Sequence, residues 1–329
     1  MGPRREPGYH IMLDELLKRR LLLILGKGGV GRTSVSAALG LAMARAGARV
    51  CVVEYDSRAP MAALFGREPS YEPIEVEPGM SLIALDGPRT LAEYLRVTLP
   101  SPAMLRTIIS SRLYNYFVLA APGLRELIMI GKLYHEIERR PAGQPPWDLV
   151  IFDAPASGQA LDLLRMPLTA EETFGASIVG HEARNVAAFL RDRKRSAVLQ
   201  VATGEALAMS ETLEFHAALS GIGMEPAAVV FNRRVPLPFG RAEIARLTRL
   251  LAAGNGNKLP PFIRRANRLL MESRRNDEAV RALKDGCGPL IELADHPEAH
   301  GRPLVKLIAA EIAQLRSGVE PRAAGQALS

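Results

Sequence analysis

Nine residues, Gly26 to Ser34, read Gly-Lys-Gly-Gly-Val-Gly-Arg-Thr-Ser, directly after the apolar run Leu21 to Leu25 and directly before a helical pattern. A strand that empties into a glycine-rich turn and then a helix is the entry to an open α/β sheet. Gly28, Gly29 and Gly31 let the backbone curl with its N–H groups inward, and the following helix adds its positive N-terminal end at the same spot. The whole run from Gly26 through Lys27, Val30 and Ser34 therefore predicts a phosphate-binding loop, with the Thr33 hydroxyl placed for Mg²⁺. One position departs from the pattern. A lysine belongs at position 32, where an ammonium reaches the β- and γ-phosphates, and Arg32 stands there instead. Nucleotide binding follows from the loop, whereas hydrolysis needs its own argument.

Runs rich in Val, Ile and Leu alternate with helical patterns, which predicts a parallel sheet covered by helices on both faces. Strands are expected at Leu21–Leu25, Arg49–Glu54, Ser81–Leu85, Asp148–Phe152, Ala197–Val201, Ala228–Phe231 and Leu290–Leu293. The third and fourth are too far apart for one crossover. The stretch between them is apolar and helical at Leu91–Leu99, Ala103–Leu113 and Gly123–Glu138, and a further helical piece at Ala170–Leu190 precedes the fifth strand. The expected organisation is one P-loop domain over 13–318, with a helical subdomain at about 88–140 and 168–192 and loose tails at 1–12 and 319–329. Met104, Ile108, Phe117, Met129 and Leu133 put apolar side chains on more than one helical face, as either ordinary core or a groove for a hydrophobic helix requires.

The two cysteines, Cys51 and Cys287, belong to no Cys-x-x-Cys pair, and the histidines are scattered, which argues against a disulfide framework, a zinc site or an iron–sulfur cluster. No apolar run is long enough to span a membrane and the N-terminal residues lack a signal-peptide core, so a cytoplasmic protein is expected. Of the net charge of +7, most comes from Arg241 to Asp285, with eleven basic against five acidic residues. An acidic partner and a merely solvated arginine-rich face both account for it, and the absence of interleaved aromatics argues against single-stranded nucleic acid.

Two carboxylates follow strands. Asp56, in Glu54-Tyr55-Asp56-Ser57, is expected at the carboxyl end of the strand beside the P-loop strand, where it can orient or deprotonate an attacking water. Asp153 closes the fourth apolar run in the position that holds Mg²⁺ through water, and Gly158 lets the next loop approach a γ-phosphate.

From about Leu13 to Leu315 the chain resembles the anion-transporting ATPases, which comprise the arsenical-pump ATPase and the targeting factor for tail-anchored membrane proteins. The loop matches the family's deviant form except at Arg32. Asp56 falls on the family's Thr-Asp-Pro-Ala switch I, with Ser57 and Arg58 in place of Pro and Ala. Asp153-Ala154-Pro155-Ala156-Ser157-Gly158-Gln159 parallels switch II, with Gln159 in place of a His. The resemblance implies that Lys27 reaches across a dimer interface to the partner's nucleotide, that Glu205 reaches the nucleotide, and that Asn232 recognises adenine, a task suited to an amide that both donates and accepts. It also implies ATP and Mg²⁺ as ligands, and a homodimer or a heterodimer with a paralogous ATPase. The zinc-binding cysteine pair and the metalloid-binding cysteines of the two named branches are missing, which places the resemblance with bacterial members between them.

The leading expectation is an ATP-driven dimeric switch that opens and closes on a client, with a hydrophobic helix or membrane protein as the candidate client, Asp56 and Lys27 as catalytic residues and hydrolysis slowed by Arg32. A nucleotide-loaded pseudo-ATPase regulating a catalytic paralogue and a partitioning-type ATPase are the competing expectations.

Overall fold

The computed structural model describes residues 14–55, 60–98, 123–139, 143, 145–253 and 260–317. Asp56, the tails and the helix expected at Ala103–Leu113 lie outside them.

Eight strands form one sheet in the order β3-β4-β2-β5-β1-β6-β7-β8. They are β1 (Leu21–Gly26), β2 (Val50–Glu54), β3 (Ile74–Glu77), β4 (Met80–Ala84), β5 (Leu149–Asp153), β6 (Ser196–Ala202), β7 (Ala228–Arg234) and β8 (Leu290–Ala294). All pairings are parallel except β3 with β4. The central strand β1 is buried along its whole length, as its uninterrupted apolar run requires of a strand covered on both faces. Its residues alternate: Leu22 and Ile24 join the core on one side, Leu21, Leu23 and Leu25 the core on the other.

The helices around the sheet are α1 (Arg32–Arg45), α2 (Pro60–Leu64), α3 (Gly87–Thr98), α4 (Leu124–Glu138), α5 (Ser157–Phe174), α6 (Ile178–Arg191), α7 (Ala206–Gly221), α8 (Arg241–Ala253), α9 (Pro261–Cys287) and α10 (Gly301–Ser317). Helices α1, α2 and α10 supply one face, through residues such as Val35, Leu39, Met61 and Ile308. On the opposite face Met129 and Leu133 of α4, Leu163 of α5, Phe189 of α6 and Phe215 of α7 meet Leu23, Val150 and Phe152 of the strands. Helix α4 of the helical insertion, with α5 and α6, thus packs its apolar face on the sheet.

Three expectations change. Ile74–Glu77 was not expected as a strand. Its Ile-Glu-Val-Glu alternation has only two apolar positions, and its antiparallel pairing to β4 is what orders it at the sheet edge. The strand bearing switch I was expected beside β1, but β5 pairs with β1 and β2 lies one place further out. The helical piece expected at Ala170–Leu190 is the end of α5 and then α6: Gly175 turns with φ 49°, and the Ser177 side chain accepts from the Gly180 N–H at 3.1 Å to start a new helix.

Candidate functional site

The carboxyl ends of β1, β5, β6 and β7 meet where the glycine loop turns into α1. Gly29 and Gly31 have φ of 87° and 91°, a region closed to most side chains. Gly31 precedes α1 with no side-chain cap, so the first-turn N–H groups of that helix remain open to an anion. The loop is held from behind by Asn232 of β7. That side chain is 4% exposed, and its Nδ2 donates to the Val30 carbonyl at 2.9 Å. A Cβ at position 31 would lie 2.4 Å from the same nitrogen, so the closeness of loop and β7 excludes any larger residue. The amide that the resemblance assigns to adenine therefore spends one donor on the loop itself.

Thr33 and Asp153 come together as their sequence positions suggest. The Thr33 hydroxyl donates to Asp153 Oδ2 at 2.7 Å, and the Ser36 hydroxyl to Oδ1 at 3.1 Å. Burial pushes the Asp153 carboxyl above its ordinary pKa, while these hydroxyls and the nearby Arg32 charge oppose the rise. A hydroxyl and a buried carboxylate in contact form an all-oxygen donor pair of the kind Mg²⁺ accepts alongside water and phosphate. Ser36 was missed by sequence reasoning, although it lies three residues after Thr33 and so on the same helical face.

Arg32 is placed differently from a phosphate-directed side chain. Its Nη1 donates to the carbonyl oxygens of Ala154 and Pro155, the first residues past β5. Burial lowers its pKa and the Asp153 charge opposes that. The guanidinium thus clasps the switch II segment to the start of α1.

Lys27 pairs within its own chain. Its Nζ lies 2.9 Å from Glu211 Oε1 on α7, with both side chains partly exposed. Nothing in the sequence marks Glu211 as its partner, since 184 positions separate them. Glu205 is exposed just before α7 and makes no side-chain cap. Gly158 lies in the first turn of α5 and has open space where a Cβ would be. Beside the loop, Thr203 is buried with its hydroxyl unpartnered among the described residues.

The approach to switch I has its own anchors. Glu54, the last residue of β2, accepts from the Met61 N–H at 3.0 Å and so ties the strand to α2 across the intervening loop. Burial pushes its pKa up to about 8. The Tyr55 hydroxyl accepts from Gln159 Nε2 at 3.2 Å, connecting the residue before Asp56 to the switch II helix. Arg125 of α4 lies over the Tyr55 ring at 5.7 Å.

The family model described as anion-transporting ATPase matches residues 19–182, a span that holds the loop, Asp153 and Gly158. Over that span the chain is similar to the anion-transporting ATPases. Among relatives, the ATPase BagA of Mycobacterium tuberculosis is 27% identical over 234 residues, covering 69% of this chain and 68% of the relative. The arsenical pump-driving ATPase of Escherichia coli is 24% identical over 237 residues, 65% of this chain and 39% of that longer protein. The ATPase ASNA1 homolog 1 of Paramecium tetraurelia is 24% identical over 147 residues, 44% and 43% of the two chains. Among the described residues no helix is long and apolar enough to cross a membrane.

Proposed function

We propose that this chain is an Mg-ATP-binding, ATP-hydrolysing dimeric switch of the anion-transporting ATPase family. The observation that carries the reading is the Thr33–Asp153 contact beneath a glycine loop that opens an uncapped helix. Loop and first-turn N–H groups are assigned to the phosphates, and Glu205, just before α7, and Asn232, on β7, are assigned to the nucleoside side. Thr33 and Asp153 would hold Mg²⁺, which when bound neutralises phosphate charge. Asp56 is assigned to orienting the attacking water.

In a dimer, Lys27 is assigned to the partner's nucleotide, and it must first leave Glu211. That pair is partly exposed, and such pairs contribute about 1 kcal/mol or less. A phosphate dianion across the interface is a stronger partner, so release of the pair is compatible with nucleotide-driven dimerisation. Hydrolysis removes that charge and reopens the dimer around a client, whose class we take to be an apolar helix.

A second reading, a nucleotide-loaded regulator of a catalytic paralogue, is favoured by one specific observation: Arg32 is turned onto the Ala154 and Pro155 carbonyls. ATP turnover and nucleotide affinity of wild type, Asp56→Asn and Lys27→Ala separate the two. Turnover lost in both variants with binding retained supports the switch. Tight binding with no turnover in wild type supports the regulator, and an Asp56→Asn protein as fast as wild type removes the assignment of Asp56.

A further inference from the structure

The basic region at 241–285 has a definite shape. On β7's carboxyl side the chain leaves into α8, and α9 returns it to β8. Asn276 Oδ1 accepts from the Val235 N–H at 2.8 Å, just past the end of β7, so α9 crosses the carboxyl edge of the sheet at Asn276. From there Ala279, Val280 and Leu283 cover the strands. The fifteen preceding residues, 261–275, extend roughly 22 Å beyond that edge at 1.5 Å per residue. Along this projection α9 packs against α8 through Leu247, Ile263 and Leu270. The two helices pack on each other as an arm at the carboxyl side of β7.

The arm's buried stripe is narrow, and its outer surface combines two chemistries. Arg264, Arg268, Met271 and Arg275 fall at i, i+4, i+7 and i+11, one continuous stripe of an exposed face, with Arg265 beside them. Arg246 and Arg249 extend the charge onto α8. None of these six guanidinium groups has an ion-pair partner among the described residues, whereas Arg184, Arg193 and Arg302 elsewhere on the surface are each paired. Glu272 is the carboxylate that borders the stripe. Toward the tip, Phe262 is 70% and Leu250 45% exposed, and nearer the sheet Met271 is 43% exposed.

We infer that this arm docks the protein on an anionic phospholipid surface. Unpaired arginines beside exposed aromatic and aliphatic side chains on a helical hairpin match the two requirements of interfacial binding: attraction to acidic headgroups and shallow burial of apolar groups. The same charges repel a second copy of this net-positive chain, and a nucleic acid phosphate backbone would leave Phe262 and Leu250 without a partner.

The test is co-sedimentation of the full chain with phosphatidylcholine vesicles containing about one-third phosphatidylserine, against pure phosphatidylcholine vesicles. Each basic residue near such a surface is worth about a factor of five, so the variant Arg264→Ala/Arg265→Ala/Arg268→Ala is expected to lose roughly 100-fold in partitioning. Phe262→Ser is expected to lose a further measurable share at unchanged charge. The control Arg184→Ala/Arg193→Ala/Arg302→Ala, equal in net charge, is expected to bind as wild type does. Nucleotide affinity, which does not involve the arm, checks folding of every variant independently of the vesicle result. Equal binding to neutral vesicles, equal loss in the control, or arm-dependent capture of duplex DNA with vesicles left unbound would each overturn the proposal.

Discussion

Replacing Arg32 by lysine acts on two states of the protein at once. In the structure the guanidinium joins α1 to two carbonyl oxygens of the switch II segment. Hydrogen bonds from a charged donor are worth roughly 1.5–3 kcal/mol each. An ammonium on a shorter reach retains one at best. The loss is offset in part because a lysine head is more readily solvated, so Arg32→Lys is expected to cost about 1–2 kcal/mol, or roughly 1.5–3 °C in melting temperature for a chain of this size. With nucleotide bound the sign reverses. Freed from the clasp, the segment after Asp153 can follow the γ-phosphate, and a point charge reaches the position the loop pattern requires. Since misplacement by about 1 Å costs on the order of 100-fold in rate, turnover is expected to rise by at least about tenfold. Differential scanning fluorimetry without nucleotide and a phosphate-release assay with Mg-ATP read the two effects separately. Arg32→Ala provides the internal comparison, with at least as large a loss of stability and no gain in rate. An Arg32→Lys protein that melts with wild type and turns over no faster would refute the clasp as the cause of slow hydrolysis.

Three further outcomes follow from the same geometry. Glu211→Gln releases Lys27 at a stability cost under about 1 kcal/mol, and is expected to raise the dimer fraction at a given ATP concentration in sedimentation velocity. Asn232→Ala leaves the buried Val30 carbonyl without its donor, which costs about 1–3 kcal/mol, and is expected to weaken nucleotide binding measured by calorimetry. The carboxyl of Glu54 is held at about 8 by burial, above its ordinary 4.5. Between those two values the folded state binds the extra proton, so stability falls as pH rises from about 4.5 through about 8. Thermal melts across that window are expected to show a smaller decline for Glu54→Gln than for wild type, and an unchanged slope would count against a buried neutral Glu54.

The most legible parts of this molecule are those set by neighbours in the chain. The apolar runs of β1, β5, β6 and β7 mark buried strands because a backbone extended between two helical layers must bury both faces. The loop from Gly26 to Gly31 is readable because positive φ and inward N–H groups require glycine there. Edge strand β3 escaped because two apolar residues carry no period by themselves, and only the ladder to β4 orders them.

The site divides along the same line. Thr33, Asp153 and the loop were readable as chemistry, since residue type and position after a strand are local facts. Their contact, and the clamp from Ser36, were settled by the pairing of β1 with β5, which displaced β2 from the place the sequence suggested. Lys27 on Glu211, Asn232 behind Val30 and Arg32 on Ala154 and Pro155 join residues more than 100 positions apart. The sequence by itself determined a parallel α/β sheet with a phosphate loop and the donors to fill it. Which donors bind each other, and so which must be released before nucleotide can be engaged, was decided by tertiary structure, because strand order and helix packing bring those side chains within hydrogen-bond reach and no local period encodes either.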